Sequence, residues 1–477
     1  MSLNQDIHLP AGNIHLLAQE QAWYYRVLPK NSAPGYIELY CEEGADAEVL
    51  VSELEILLGL EVQLEPIPPE DIARLLSKYY IKDTASSGAS QVPVNQNAED
   101  FLFNLIGEAK NLKSSDIHIE RYENKCRVRI RIDGLMVERY LLKNEEYPAL
   151  INKIKIYANL DIAEKRLPQD GRINFKHQHL QFDIRVSVLP TLHGEKVVLR
   201  LLNNDATAID LNTLGFSPFD LENYLQGVKR PNGILLISGP TGSGKTTTLY
   251  ATLKLLNQET RNILTIEDPV EYTLEGINQV QLKESIGLTF GAALRTFLRQ
   301  DPDVIMVGEI RDTETANMAI RAALTGHLVL STIHTNSAWG TVSRLIDMGM
   351  PPFLVANTLN TTVAQRLIRL LCPHCKVKKH FQTSLYPRQF KPYLDVQNHY
   401  VAQGCEQCYY TGYKGRKAVY EVIPVDQELA QEIKGGNMNV QHLLKERGVK
   451  TLAENAFELF SDGQTSIEEI YPLLFNY

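Results

Sequence analysis

Long apolar runs, a signal peptide and an excess of positive charge are all missing from this chain. No stretch reaches the ~18 consecutive apolar residues that a membrane-spanning helix needs, so we expect no direct membrane span. The opening residues, MSLNQD, contain neither the basic nor the apolar segment of a signal peptide, which predicts a cytoplasmic protein. The formal net charge of -9 argues against nucleic-acid binding, because proteins that translocate nucleic acid usually carry a basic surface.

Cysteine is also scarce, and its placement is uneven. The chain of 477 residues has six cysteines, of which Cys41 and Cys126 stand alone and are expected to be small buried residues. The other four form two C-x-x-C pairs, which supply the four soft ligands of a closed zinc site. A disulfide or a redox pair is the alternative, but a cytoplasmic chain disfavours disulfides, and a single redox motif needs no second pair. We therefore predict that Zn²⁺ is bound by Cys372, Cys375, Cys405 and Cys408.

The strongest positive signal is a glycine-rich segment between a predicted strand and a predicted helix. The apolar run 234–237 leads into 239–246, which reads GPTGSGKT, and a helical pattern follows it. Glycines let successive backbone N–H groups point at one anion, and the helix that follows presents its positive dipole end to the same phosphates. We therefore predict a loop that binds ATP, formed by Gly239, Pro240, Thr241, Gly242, Ser243, Gly244, Lys245, Thr246 and Thr247.

Two polar side chains in this loop have separate tasks. Lys245 is expected to reach the β- and γ-phosphates, and the Thr246 hydroxyl is expected to bind Mg²⁺.

Two acidic segments compete to supply the carboxylate that polarises the attacking water. The run 263–266 leads into Glu267 and Asp268, and the run 304–307 leads into Gly308 and Glu309. In either case the carboxylate is expected at the carboxyl end of a strand that lies beside the strand of the phosphate loop. Gly308 stands where a metal-binding Asp is expected, so Mg²⁺ would depend more on Thr246 and water. Either glutamate also fits a helix cap.

A further apolar run, 328–333, carries His327 before it and His334 after it. Single histidines are usually structural. His334 ends a strand of the same presumed sheet as the phosphate loop, where a γ-phosphate sensor would lie.

Composition divides the chain into five segments. We predict an N-terminal domain over 1–81, a polar linker over 82–97, an α+β domain over 98–205, a linker over 206–222 and an α/β domain over 223–477. In the α+β domain a helical pattern starts at Ala98, and apolar residues then alternate with polar ones in several strands.

Arginines are concentrated on the polar faces of this α+β domain. They form either a solvated charged face or a set that meets a triphosphate held by another domain or subunit. The residues concerned are Arg127, Arg129, Arg131, Arg166, Arg172, Arg185 and Arg200.

Four motifs in order resemble the type II/IV secretion ATPases, the family of the general secretory pathway ATPase and the type IV pilus extension ATPase. They are GPTGSGKT at 239–246, ILTIEDPVEY at 263–272, LRQDPDVIMVGEIRD at 298–312 and TGHLVLSTIHTN at 325–336, similar to the Walker A, Asp, Walker B and His boxes. The resemblance covers roughly 98–477 and includes both cysteine pairs.

The resemblance implies a fold and a set of roles. The fold is α/β, with a RecA-like P-loop core that is preceded by an α+β, PAS-like domain and a small partner-docking domain, and that carries a zinc module over 371–412. Glu309 is implied as the base, and Glu267 of the Asp box is implied to help organise metal and water, with Asp268 beside it as a further site residue. The His box is His327 and His334, and Arg172 and Arg185 are favoured over Arg166 and Arg200 to reach the nucleotide.

The family's assembly follows from the same resemblance. It implies a homohexamer, peripheral at the inner membrane, that docks on an inner-membrane platform protein and on the cytoplasmic domain of a membrane anchor. ATP hydrolysis would drive pilin-like subunits into a filament. We favour type II secretion, with pilus extension as the alternative. A nucleic-acid translocase is disfavoured by the acidic charge, and a purely regulatory ATP-binding module by the complete catalytic set.

Overall fold

The computed structural model describes residues 17, 21–22, 25–33, 35–44, 47–69, 71–72, 75–76, 98–177, 180–202, 210–387, 390–392 and 394–475. Contacts divide the chain into two compact units. The first holds the described residues up to Ile132, with Met136–Arg172 and Val186–Leu199, and the second holds Asp133–Leu135, Ile173–Arg185 and the described residues from Arg200 onward. The predicted linker 82–97 lies outside the described residues, and the domain boundaries predicted from the sequence stay predictions.

The described N-terminal part of the first unit includes a small sheet and a helix. Its elements are β1 (Val27–Ala33), β2 (Tyr36–Glu42), α1 (Ala47–Leu58) and β3 (Glu61–Ile67). Strand β2 lies in the middle, antiparallel to β1 and parallel to β3. Leu28, Ile37, Leu39 and Leu54 have no exposed surface and form the core of this sheet.

A six-stranded sheet follows in the order β6-β5-β4-β9-β8-β7. Its elements are α2 (Ala98–Asn111), β4 (Asp116–Arg121), β5 (Cys126–Ile132), β6 (Leu135–Leu142), α3 (Tyr147–Tyr157), β7 (Gln169–His177), β8 (Leu180–Thr191) and β9 (Gly194–Leu201). Strand β5 buries Cys126, Val128 and Ile130. The predicted alternation is therefore confirmed, because successive side chains of a strand point to opposite faces.

The second unit contains a seven-stranded sheet in the order β12-β11-β13-β14-β10-β15-β18. Its strands are β10 (Gly233–Ser238), β11 (Ile263–Glu267), β12 (Asn278–Gln281), β13 (Val304–Val307), β14 (Leu328–Ile333), β15 (Leu359–Leu371) and β18 (Tyr413–Pro424). All neighbouring strands are parallel except β15 and β18, which pair antiparallel. Strands β16 (Val377–His380) and β17 (Asn398–Val401) form a separate antiparallel pair.

Helices cover both faces of this sheet. They are α4 (Pro218–Val228), α5 (Lys245–Leu256), α6 (Phe290–Phe297), α7 (Thr313–Leu324), α8 (Gly340–Asp347), α9 (Pro352–Thr358), α10 (Gln427–Lys434), α11 (Gln441–Glu446), α12 (Leu452–Ser461) and α13 (Ile467–Phe475). Alternate residues of β10 serve two different cores, Ile234 and Leu236 on one face and Leu235 and Ile237 on the other. A strand buried on both faces reads as a continuous apolar run, which is how 234–237 appears in the sequence.

The strand order corrects one expectation. The acidic segments are expected from the sequence on strands beside the strand of the phosphate loop, and this expectation is wrong. Strand β10 pairs with β14 and β15, so β14 separates it from β13, and β11 lies one strand further away. The carboxyl end of β14, which is followed by His334, therefore lies between the loop and Glu309.

Within the described ranges, no helix combines the length and the apolar character that crossing a bilayer requires.

A buried ion pair lies in the core of the first unit. Lys155 of α3 has a fully buried side chain, and its Nζ lies 2.5 Å from Glu195 Oε1. The same Nζ donates to the backbone carbonyls of Asp161 at 3.2 Å and Glu164 at 2.7 Å. The ammonium group thus fixes the segment that leaves α3, and its burial is compensated by three oxygen partners.

We expect Lys155→Met to lower the free energy of unfolding by about 3–5 kcal/mol, because it leaves the Glu195 carboxylate buried without its cation. Urea denaturation of the purified chain measures the change. Lys153→Met is the matched control on the same helix, since Lys153 pairs with Glu99 at 3.0 Å and its side chain is 37% exposed. An exposed pair of this kind contributes less than about 1 kcal/mol. Equal losses in the two variants would contradict the assignment.

Candidate functional site

The glycine-rich loop connects the carboxyl end of β10 to the amino end of α5. Three of its glycines have positive φ, 150° at Gly239, 82° at Gly242 and 88° at Gly244. Other residues rarely adopt these angles. Gly244 is the N-cap of α5, so the first N–H groups of this helix face the inside of the loop and form a concave donor surface. This is the strand–loop–helix arrangement that the sequence predicted.

Lys245 lies at the start of α5 and turns back over the loop. Its Nζ donates to the carbonyls of Gly239 at 2.8 Å and Pro240 at 3.1 Å. Burial lowers the pKa of Lys245, the negative charge of Glu309 acts in the opposite direction, and the positive charge of Arg366 lowers it further. The ammonium group is therefore held at the mouth of the loop, within the electrostatic range of Glu309.

Glu309 lies just beyond the carboxyl end of β13 and meets His334 from the end of β14. His334 Nε2 is 3.4 Å from Glu309 Oε2, and Arg311 pairs with the other carboxylate oxygen. The Glu309 side chain is 15% exposed, whereas that of His334 is 50% exposed. The carboxylate is thus positioned at the same edge of the sheet as the loop, and it keeps access to solvent.

Glu267 lies at the end of β11 in a different environment. Its residue is only 4% exposed. One carboxylate oxygen accepts a hydrogen bond from the Tyr250 hydroxyl, and the other accepts from Thr265 Oγ1 at 2.6 Å and Gln279 Nε2 at 3.1 Å. Burial and the Glu267 charge raise the pKa of Tyr250, which keeps this hydroxyl a donor. Since both oxygens are engaged, Glu267 ties α5 to β11 and β12.

The two glutamates therefore differ in what they are able to do. A general base must reach the proton that it removes, either directly or through one water. Glu309 is bordered by the exposed side chains of Arg311 and His334 and by solvent, whereas Glu267 is surrounded by hydrogen-bond donors of the protein. The geometry favours Glu309 for proton transfer and Glu267 for fixing the frame around it.

The remaining predicted residues are only partly brought together. Asp268 and Thr241 are exposed on the loops at this edge, Thr246 is exposed in the first turn of α5, and Thr247 is half-buried in the same turn. His327 precedes β14, whereas His334 follows it, so the two histidines lie at opposite ends of a strand about 20 Å long. His327 Nδ1 lies 2.8 Å from the carbonyl of Ala322, which is a structural contact.

The predicted arginines occupy different settings. Arg185, in the second unit, donates to the Val270 carbonyl at 2.9 Å and lies 3.2 Å from Glu271, on the loop after Glu267. Arg172 and Arg200 are exposed. Arg166 is also exposed and pairs with Glu164 at 3.3 Å.

The arginine row of β5 is internally neutralised. Glu120 accepts hydrogen bonds from Arg129 at 2.7 and 2.8 Å and from Arg127 at 3.0 Å, and Lys196 lies 3.0 Å away. Burial alone would raise the pKa of Glu120, but these cationic partners lower it to about 2. Arg131 lies 3.6 Å from Asp116. These contacts favour the interpretation of the row as a charged structural face.

Sequence reasoning missed the residues that strand β15 contributes. Gln365 packs against the outside of the loop, and Arg366 donates to the carbonyl of Asn336, which lies two residues after His334. The distance in sequence between these residues and the loop does not indicate their contact, because β15 pairs with β10 only once the sheet has formed. Arg311 lies in the Walker B-like segment 298–312. Its positive charge two residues after Glu309 was a signal in the sequence that it contacts this carboxylate.

The four predicted cysteine ligands converge. Their sulfurs all lie within 4.8 Å of one another. The Sγ–Sγ distance is 3.9 Å for Cys372 and Cys405, 3.8 Å for Cys375 and Cys408, and 3.8 Å for Cys405 and Cys408. Thiolates bound to zinc at ~2.3 Å in a tetrahedron are about 3.8 Å apart, so the donor set fits this ion. The sulfurs are free of disulfides.

Cys408 has partners beyond the cluster itself. Its Sγ accepts backbone N–H groups from Cys405 and Gly412, each at 3.2 Å. Such contacts stabilise a thiolate and orient it toward a metal. Both the four sulfur ligands and the N–H groups that donate to Cys408 are therefore compatible with bound zinc.

The parallel sheet, the glycine-rich loop and the residues at its edge define the P-loop class of α/β folds, as predicted. The chain belongs to the family described as "Type II/IV secretion system protein", which matches residues 94–472. The family resemblance inferred from the four motifs is thereby confirmed.

Relatives with curated names include type II secretion ATPases and type IV pilus assembly ATPases. The type II secretion system ATPase E of Vibrio cholerae is 45% identical over 372 residues, covering 77% of this chain and 73% of the relative. The type IV pilus assembly ATPase PilB of Myxococcus xanthus is 41% identical over 496 residues, covering 98% and 87%. Among solved structures, the ATPase DotB of Legionella pneumophila shares the fold, with a TM-score of 0.62 and 21% identity over 81% of this chain and 98% of that chain.

Proposed function

We propose that this chain hydrolyses ATP to drive the assembly of a filament of pilin-like subunits for type II protein secretion. The observation that carries the proposal is the meeting of the phosphate loop, Glu309 and His334 at one edge of the sheet. The chain's membership of the family gives this site its setting in secretion.

The residues divide the chemistry between them. The N–H groups of the loop and the Lys245 ammonium bind the β- and γ-phosphates, and Thr246 holds the Mg²⁺ that neutralises them. Glu309 accepts the proton of the attacking water as the water oxygen bonds to the γ-phosphorus. The bond from that phosphorus to the β,γ-bridging oxygen breaks, and ADP and phosphate are released. His334 contacts Glu309, and we assign it the role of sensing whether the γ-phosphate is present. Arg185 and Arg172 are assigned to stabilise the negative charge that develops on the γ-phosphate. If they act on the nucleotide of a neighbouring subunit, ATP turnover depends on an assembled homohexamer.

The expected partners are an inner-membrane platform protein and the cytoplasmic domain of a membrane anchor, so we place the protein in the cytoplasm at that membrane. The family supports these assignments. A second candidate function, pilus extension, is favoured by one observation. The match to the pilus assembly ATPase of Myxococcus xanthus spans 98% of the chain, whereas the matches to type II secretion proteins span 77% for Vibrio cholerae and 91% for Aeromonas hydrophila.

We expect Glu309→Gln to retain nucleotide binding and to lower kcat about 10²–10⁴-fold, because the amide cannot accept the proton of water. Steady-state phosphate release measures turnover, and ADP titration measures binding. Glu267→Gln is the matched control and is expected to lose less activity, because its amide disturbs only the anchoring network. Near-normal turnover of Glu309→Gln would transfer the base to Glu267 and reject our assignment.

We also propose that the cysteine cluster holds one structural Zn²⁺. Metal analysis of the purified chain is expected to give about one zinc per molecule, and Cys372→Ser is expected to lose it. Cys126→Ser is the matched control, since Cys126 is buried but lies outside the cluster. Zinc-free protein with four reactive thiols at these positions would refute the site.

An experiment in the native host distinguishes type II secretion from pilus extension. Replacing the chromosomal copy by Glu309→Gln is expected to stop the export of type II substrates while surface pili persist, because the ATPase that supplies the filament has lost its base. Secreted enzyme activity and pilus counts are the two readouts. Loss of pili with normal secretion would select the second candidate, and no change in either would reject both.

A further inference from the structure

Strand β15 places a buried amide directly behind the phosphate loop. Gln365 is 2% exposed. Its Nε2 donates to the carbonyl of Ser243 at 2.9 Å, and its Oε1 accepts a hydrogen bond from Thr248 Oγ1 at 2.9 Å. One carboxamide therefore holds a loop residue and a residue of the first turns of α5 at the same time.

The contact to Ser243 bears on the orientation of the loop's peptide groups. A loop that directs its N–H groups toward a phosphate must direct carbonyls the other way, into the protein. A buried carbonyl without a donor is costly, and such a peptide would rotate to find one. The Gln365 amide gives the Ser243 carbonyl its donor, so the peptide between Ser243 and Gly244 stays oriented with its N–H toward the anion side.

Close packing limits how far the loop is able to move. A Cβ at Gly244 would lie 2.8 Å from Gln365 Nε2, and a Cβ at Gly239 would lie 2.5 Å from the Gln365 carbonyl oxygen. These distances leave no room for a side chain, so both ends of the loop rest on Gln365. The register of β15 against β10, which pairs Ser238 with Ala364, thus sets the position of the loop.

We propose that Gln365 is a positioning residue for nucleotide binding, and that its carboxamide holds the loop in the shape that receives the β-phosphate. The inference rests on the proposed function, since it assumes that this loop binds a nucleotide. Gln365 acts through Ser243 and Thr248 and has no part in the chemical step.

The same strand offers a matched control. Asn360 is 5% exposed at the amino end of β15, five residues before Gln365. Its Nδ2 donates to the carbonyl of Asn232 at 2.8 Å, and its Oδ1 accepts from Arg230 Nη1 at 3.2 Å. Asn360 thus resembles Gln365 in burial and hydrogen bonding, but it supports the end of the sheet that is remote from the loop.

The test is calorimetric titration of the full chain with Mg²⁺ and ADP. Gln365→Leu is expected to raise the Kd for ADP about tenfold or more, because it removes both loop-holding hydrogen bonds. Asn360→Leu is expected to lower the melting temperature about as much as Gln365→Leu does. Its Kd for ADP is expected to stay within about twofold of wild type. Equal Kd values for Gln365→Leu and wild type, or equal increases in both variants, would overturn the proposal.

Thr248 gives a second route if Gln365→Leu does not fold. Thr248→Val removes the hydroxyl that Gln365 accepts from, and it is expected to raise the Kd about threefold or more, whereas Thr248→Ser keeps the hydroxyl and the affinity. A Thr248→Val affinity equal to wild type would overturn the proposal on its own. Wild-type protein that binds no ADP would instead refute the proposed function.

Discussion

A loop that turns its N–H groups toward an anion must bury its carbonyls against the protein, and this constraint organises the site. The donors that satisfy those carbonyls come both from a strand that is remote in sequence and from the loop's own lysine. Gln365 serves Ser243, and Lys245 itself caps the carbonyls of Gly239 and Pro240. The glycines allow the curled backbone, but the shape is maintained from behind by β15. The shape of the phosphate site therefore depends on the adjacent strands β10 and β15 and not on the loop alone.

The need of a buried oxygen for hydrogen-bond donors also distinguishes the two glutamates, Glu267 and Glu309. Glu267 is buried and its oxygens are satisfied by Tyr250, Thr265 and Gln279, so its negative charge is stabilised by a fixed set of donors. Glu309 meets side chains that are themselves half-exposed or more. A carboxylate with exposed partners keeps access to water and is suited to exchange protons, whereas one with both oxygens engaged by buried donors is suited to hold elements together. Chemically identical residues thus acquire different functions from their surroundings.

Local patterns in the sequence predicted much of this structure. The loop follows from glycine and lysine spacing, strand β5 from its alternation, and the cysteine cluster from two C-x-x-C pairs. The strand order was not predictable in the same way, because hydrogen bonding between parallel strands leaves no local signal. For this reason β14 was not expected between β10 and β13. Gln365 was also missed, since a glutamine in an apolar strand reveals its partner only after the sheet is assembled.

The antiparallel pair of β15 and β18 links the cysteine cluster to the nucleotide loop. Strand β15 ends at Leu371, directly before Cys372, and the Cys372 N–H donates to the carbonyl of Gly412, directly before β18. The cluster therefore closes the open end of this pair. A slip of one residue along such a pair would turn every side chain to the opposite face.

The same two strands carry the side chains that support the nucleotide site. Gln365 lies opposite Tyr420, and Ala364 lies opposite Glu421. Glu421 accepts the N–H groups of Ala338 at 2.8 Å and Leu452 at 3.3 Å, and burial raises its pKa. It thus ties the segment after His334 to the start of α12. A metal held by the four thiolates would fix the register of β15 and β18, and with it the positions of Gln365 and Glu421. Although the cysteines are remote from the loop in sequence, their geometry bears on the loop through the strands that they join.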